Sequence, residues 1–215
     1  MVTIEHFGLR AGRQVRTKYL NSRLRRVIDL AMASLLLAGL APVLICVVVA
    51  IRLTSKGPVL FRQKRNGKDM VPFELLKFRT MHCHAPDPTI QQAQRGDARI
   101  TPVGKFLRTM SLDELPQLFN VIRGDMSLIG PRPHAVEHDA YYGELVQDYR
   151  SRFQVRPGLT GYAQVSGARG ATPQIEDMER RVDLDLYYIR TASLPLDGVI
   201  LIRTVREVFF SSSAY

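Results

Sequence analysis

The chain has 215 residues, enough for one domain with a real core and too few for two full ones. Its 30 Lys and Arg against 20 Asp and Glu give +10 at pH 7, a balance that favours nucleic acid, an anionic membrane surface or phosphorylated substrates. Two cysteines, Cys46 and Cys83, exclude a disulfide framework and fit a reducing compartment.

Residues 1–24 read as a basic arm that includes Arg10, Arg13, Arg16, Lys18 and Arg23. Residues 25–53 hold the first element. From Leu30 to Ile51 no residue is charged, a run of about 22 residues or ~33 Å as helix, against ~30 Å of bilayer core. No small-residue cleavage site precedes Arg52, so the segment reads as an anchor and not a signal peptide. Pro42 sits in its middle and predicts a kink that divides it into two half-length arms. Both flanks are basic, with Arg25 and Arg26 before and Arg52 and Lys56 after. Basic flanks mark the cytoplasmic side, and a re-entrant helix keeps both there. A plain spanning helix and a buried core helix stand as the alternatives.

Residues 54–215 read as one domain, of α+β class and mainly helical. Pro58–Arg65 and Val71–Phe78 predict a hairpin with Asn66-Gly67 at or near the turn. Ala85 to Arg99 is polar and reads as a loop. Before it, His82-Cys83-His84 lacks a second ligand pair at zinc spacing, and a surface turn is expected. Short helices are expected over Val103–Met110 and Leu115–Ile122, and a longer one over Ala135–Phe153. Four glycines between Arg156 and Gly170 predict an irregular loop. Helical periodicity returns over Ile175–Thr191 and Leu194–Phe210. The second of these is amphipathic, suited to a membrane interface or to covering the core.

Two adjacent acids, Asp113 and Glu114, lie in Ser111-Leu-Asp-Glu-Leu-Pro-Gln117. Ser111 and Glu114 fit a capping box. A carboxylate kept ionised near helix amides is equally suited to act as a nucleophile or to bind magnesium. Lys77-Phe-Arg79, Arg108, Arg123, Arg132 and Arg156 lie on separate elements, several beside Gly or Pro, which suits phosphate recognition. A dispersed basic surface would look the same. His134-Ala-Val-Glu-His138 matches the pattern of inverted zinc peptidases, and a helix starting after Pro133 would put both imidazoles on one face.

Taken in order, Lys77-Phe-Arg-Thr-Met81, Thr101-Pro-Val-Gly-Lys-Phe-Leu-Arg108, Ser111 to Val121, Gly124-Asp-Met-Ser-Leu-Ile-Gly-Pro-Arg-Pro133 and Arg156-Pro-Gly-Leu-Thr-Gly161 resemble the bacterial sugar transferases. These are small monotopic phosphoglycosyl transferases acting on polyprenyl phosphate. The resemblance runs from about Arg25 nearly to the C-terminus and is closest to the short form, essentially the catalytic domain alone. Asp197-Gly-Val-Ile-Leu-Ile-Arg-Thr-Val205 and Ala214-Tyr215 look like exopolysaccharide enzymes that load galactose or glucose phosphate.

The resemblance implies that Asp113 is the nucleophile toward the β-phosphate of a UDP-sugar, releasing UMP, with Glu114 its acidic partner. Magnesium would neutralise the diphosphate with Asp113 on or near the metal, and undecaprenyl phosphate would accept the phosphosugar. Lys77, Arg79, Arg108, Arg132 and Arg156 match basic positions near the phosphates. Gly158, Thr160, Gly161, Gln164 and Gly167 match the loop expected at the nucleotide-sugar. The family places a kinked re-entrant helix where Pro42 stands, often after a Ser; here Ala41 precedes it. Location follows: the bacterial inner membrane, cytoplasmic face, in contact with membrane lipid. The expected partners include no nucleic acid, and a homo-oligomer stays open. The rivals are a membrane zinc metallopeptidase built on His134 and His138, and a non-enzymatic basic membrane scaffold.

Overall fold

The computed structural model describes residues 18–82, 97–170 and 172–210. Most of the basic arm, Cys83, His84 and nearly all of the loop expected between Ala85 and Arg99 lie outside the described residues. The first helix, α1 (Arg23–Thr54), starts where the Ser22 hydroxyl accepts from the Arg25 N–H at 3.2 Å. Among the described residues it is the one helix long and apolar enough to cross a membrane. Helical backbone continues through Pro42, so the two expected arms form one element.

Packing still divides that helix. Its first third enters the main core through Ala33, while Val47 and Ile51 close a second cluster with Phe78 and Leu107. Between them Leu35, Leu36 and Ile45 are exposed. Both ends of α1 therefore rest on the same protein body.

Strands β1 (Leu60–Asn66) and β2 (Pro72–Phe78) pair antiparallel, with Leu60 opposite Phe78. The turn between them is longer than a two-residue Asn-Gly turn. Its left-handed residues are Asp69 and Met70, beyond Gly67. The free edge of β2 is closed by a side chain: Asn120 accepts from the Leu76 N–H at 3.0 Å and donates to the Glu74 carbonyl at 2.7 Å. A single buried amide thus does the work of a third strand there.

Helix α2 (Pro102–Thr109) is capped by the Thr101 hydroxyl, which accepts from the Gly104 N–H at 2.8 Å. A 3-10 turn, Leu112–Glu114, leads to α3 (Gln117–Arg123), which ends at Gly124 with φ +99. Then come β3 (Ser127–Ile129), α4 (Val136–Leu145), β4 (Gly158–Thr160), α5 (Tyr162–Val165), α6 (Ile175–Thr191) and α7 (Leu194–Phe210). The last two helices fall where periodicity puts them.

Two expectations change. The helix expected over Ala135–Phe153 stops at Leu145, and Asp148 turns the chain at φ +58 into a 3-10 segment, Tyr149–Gln154. That turn carries Tyr149 into the core, where its hydroxyl donates to Asp139 at 2.6 Å. The glycine-punctuated stretch is partly regular as well, because β4 pairs in parallel with β3. A Cβ on Gly158 would lie 2.0 Å from the Gly130 nitrogen, so the glycines permit close backbone approach.

A buried polar lock joins α1 to this body. Arg25 donates to Asp197 at 2.7 Å and to the Ile129 carbonyl at 2.7 Å, and Asp29 accepts from Ser127 at 2.8 Å and from the Leu128 N–H at 3.1 Å. Tyr19 and Tyr188 also donate to Asp197. The start of α1, β3 and α7 are held in register, and β3 feeds directly into Gly130-Pro131-Arg132.

Candidate active site

The acids sit where α2 turns into α3. Ser111 is left-handed at φ +54 and makes no side-chain cap, so the expected capping box with Glu114 is not formed. Its hydroxyl instead accepts from Arg169. This tight turn places Asp113 and Glu114 between β2 on one side and the segment after β3 on the other.

Glu114 is held by two cations. Lys77, on β2, donates to it at 3.0 Å, and Arg132 donates through both terminal nitrogens, one of them at 3.1 Å. Such a fork to a carboxylate is among the stronger charge-assisted pairings. Burial alone would raise the Glu114 carboxyl, but Arg132 and Lys77 overcome it and hold it well below the usual range. Glu114 stays ionised.

Asp113 is in the opposite condition. It is 9% exposed and, among the described residues, has no hydrogen-bond or ion-pair partner. Burial first and the Glu114 charge second push its carboxyl up to about 6, with Lys77, Arg108 and Arg132 opposing. A desolvated, unpaired carboxylate that is still ionised at neutral pH is a strong oxygen nucleophile. Arg108 is positioned nearby by its bond to the Thr80 hydroxyl at 2.9 Å.

Arg132 is itself braced. Arg152 donates to the Arg132 carbonyl at 2.7 Å and to Asp185 at 2.9 Å, with both ionic side chains at most 3% exposed. Close beside it, the Gly158 N–H donates to the Pro131 carbonyl at 2.9 Å, made feasible by Gly130 and Gly158.

The other expected positions spread out. Arg79 donates to the Ser55 and Lys56 carbonyls at the end of α1. Arg156 donates to the Gly124 carbonyl at 2.9 Å, closing α3. Gly161 packs its backbone on Gly130, where a Cβ would lie 2.2 Å from the Gly130 oxygen, and Gly167 takes φ +85 in the loop leading to Arg169. Thr160 shares a 2.7 Å hydrogen bond with Thr204 of α7, and Gln164 lines a groove that reaches Glu114. Arg169, which the sequence reading passes over, reaches Ser111 beside the acids. An arginine between Gly167 and Gly170 was its available signal.

The His134–His138 pattern does not form a zinc site. His134 lies before α4, buried, with Nδ1 2.7 Å from the Tyr149 hydroxyl and its ring nitrogens 3.3 and 3.4 Å from Arg152 and Arg181. Burial and those arginines keep it neutral, its pKa well below the usual value. A dication would have to displace guanidinium groups.

Among the described residues no three His, Cys, Asp or Glu side chains converge as metal ligands. Magnesium needs fewer, since one carboxylate with substrate phosphate oxygens and water suffices. Asp113, unpaired and with a like charge beside it, fits that demand.

A model of the family described as bacterial sugar transferase matches residues 20–211. The UDP-glucose:undecaprenyl-phosphate glucose-1-phosphate transferase of Caulobacter vibrioides is 53% identical over 191 residues, covering 89% of this chain and 72% of that one. The protein of the same name from Escherichia coli is 47% identical over 195 residues, 91% of this chain but 42% of its own length. Exopolysaccharide production protein PSS of Rhizobium leguminosarum is 42% identical over 186 residues, 85% of this chain and 93% of that protein. The chain thus spans under half of the E. coli relative and most of the other two.

Proposed function

Because the chain belongs to the bacterial sugar transferase family, we propose that it moves a sugar 1-phosphate from a UDP-sugar to undecaprenyl phosphate in exopolysaccharide synthesis. Glucose is the donor sugar we assign, following the names of the relatives at 53% and 47% identity. The observation that carries the chemistry is the unequal acid pair: Glu114 bound to Lys77 and Arg132, Asp113 buried, unpaired and raised to about 6.

An Asp113 oxygen attacks the β-phosphorus of the donor. The bond from that phosphorus to the bridging oxygen breaks, and UMP leaves with the electron pair. A phosphate oxygen of the lipid then attacks the same phosphorus, and the Asp113 carboxylate departs unchanged. Splitting one displacement into two matches covalent catalysis. Glu114 bonds Lys77 and Arg132, so neither is paired with Asp113, which leaves that carboxylate unbonded. Lys77, Arg108 and Arg132 surround the place where phosphoryl charge develops. Magnesium would be held by Asp113 and, when bound, would supply further neutralisation of phosphate charge.

We place the enzyme on the cytoplasmic face of the bacterial inner membrane. Support for a single side comes from α1, whose two ends pack on one body, and for the cytoplasmic side from Arg25, Arg26, Arg52 and Lys56, which flank its apolar run.

The test is direct. Purified protein with magnesium, undecaprenyl phosphate and a panel of UDP-sugars should release UMP, most with UDP-glucose. With donor alone, mass spectrometry should find a phosphosugar on Asp113. An adduct on another residue, or activity surviving Asp113→Asn, defeats the mechanism, and a basic scaffold would tolerate that change.

A further inference from the structure

A groove of about 230 Å³ begins at Ser111 and Glu114 and runs between α1 and α7. Its walls are mostly aliphatic, with Met32 and Leu36 from α1, Leu128 and Leu159 from β3 and β4, and Leu201 and Val205 from α7. Apart from the acid end and Arg169, its polar lining is Gln164, Glu207 and the Thr160–Thr204 pair, whose hydroxyls bond each other. Among the described residues no aromatic ring lines it to stack on a base. Leu36 on α1 and Val205 on α7 are wall residues that are also exposed, and their neighbours Leu35 and Ile202 are exposed apolar side chains as well.

We infer that this groove binds the first isoprene units of the polyprenyl phosphate acceptor, with the lipid phosphate at the Arg169 end. The inference rests on the transferase reading above and deepens it. An aliphatic wall with few free polar groups suits a hydrocarbon and would strand the hydrogen-bonding groups of uridine or sugar. One end opens toward the apolar faces of α1 and α7, from which a lipid chain enters. The other ends at Glu114, beside Asp113. A phosphate there sits on the acids, as the second displacement requires. Among the described residues Arg169 is the one cation lining the groove, and its guanidinium, directed at Ser111, matches phosphate oxygens.

Val205→Trp on α7 and Leu36→Trp on α1 fill the groove from opposite walls, at positions 57% and 41% exposed and tolerant of bulk. Two reactions are measured in detergent. Exchange of labelled UMP into UDP-glucose without lipid reads the donor half-reaction, and UMP release with lipid reads the whole. Exchange should stay within about twofold of wild type in both variants, which also reports that they fold. The acceptor KM should rise about tenfold or more, since each methylene kept out weakens binding about fourfold. Geranyl phosphate, short enough to lie wholly in the groove, should suffer the same rise as undecaprenyl phosphate. Unchanged acceptor KM in both variants overturns the assignment. Lost exchange with unchanged acceptor KM overturns it too, and gives the groove to the donor. If wild-type protein shows neither exchange nor UMP release, the transferase reading itself fails.

Discussion

Two carboxylates joined by one peptide unit and taken out of water repel each other unless cations or protons intervene. Here Lys77 and Arg132 bond Glu114 and only face Asp113, so the strain falls on Asp113. Its folded pKa of about 6 lies above its ordinary 3.8, so the folded chain holds more protons than the unfolded one between those values. Stability therefore falls as pH rises from about 4 to 6, by up to about 3 kcal/mol. Asp113→Asn imitates the protonated form. It should abolish UMP release and yet raise the melting temperature at pH 7.5 by on the order of 5–10 °C, with the gain fading toward pH 4. Equal melting curves at both pH values would mean that Asp113 is not strained. The same titration should govern rate if Asp113 is the nucleophile we propose: donor exchange is then expected to fall about tenfold per pH unit below about 6, as its carboxylate takes up a proton. A flat profile from pH 7 down to 5 would contradict it.

At the scale of elements, the glycines after Arg156 do not contribute alike. Gly158 lets β4 lie against the start of the Arg132 segment, and its substitution drives a methyl to 2.0 Å from the Gly130 nitrogen and 2.4 Å from the Thr160 oxygen. Gly170 has open space around it. Gly158→Ala should therefore lose about 3 kcal/mol or more, and most activity, as Arg132 shifts off Glu114. Gly170→Ala should leave melting within about 0.5 kcal/mol of wild type. Sequence could see these glycines but not tell a turn from a close approach, because both remove the Cβ for different reasons. The helices over Ile175–Thr191 and Leu194–Phe210 were legible, since each buries one face and so keeps its period. The break at Leu145 was not, because it serves contacts of Tyr149 with Asp139 and His134 that only the fold brings together. The acids and Lys77, Arg108 and Arg132 were legible as ordered motifs. Arg79 and Arg156 carry the same chemistry, yet bond backbone carbonyls at helix ends. Which arginine meets a carbonyl and which a carboxylate is decided by tertiary placement.

For the whole molecule, the question is how a 32-residue apolar helix coexists with a body that must meet a water-soluble donor. As helix it is ~48 Å long, more than a bilayer core of ~30 Å. Length alone would let it cross. Packing opposes that, because Arg25 is locked to Asp197 and Ile129 near one end, while Ile51 is 2% exposed against Phe78 and Leu107 near the other. Pulling either end across the membrane would strip a buried arginine from its carboxylate or open an apolar cluster, losses of about 3–5 kcal/mol each. The exposed middle, around Leu35, Leu36 and Ile45, is left to meet lipid from one side. In a background with Cys46 and Cys83 replaced by Ala, single cysteines at Lys18 and Lys56 should both react with an impermeant maleimide only when the cytoplasmic face is open. If the two label from opposite faces, α1 crosses, its packed ends come apart in the membrane, and the one-leaflet arrangement is wrong. Because the acids are positioned by β2, α3 and the segment after β3, the donor half-reaction should survive that result. The acceptor groove, whose wall includes Met32 and Leu36 of α1, should not.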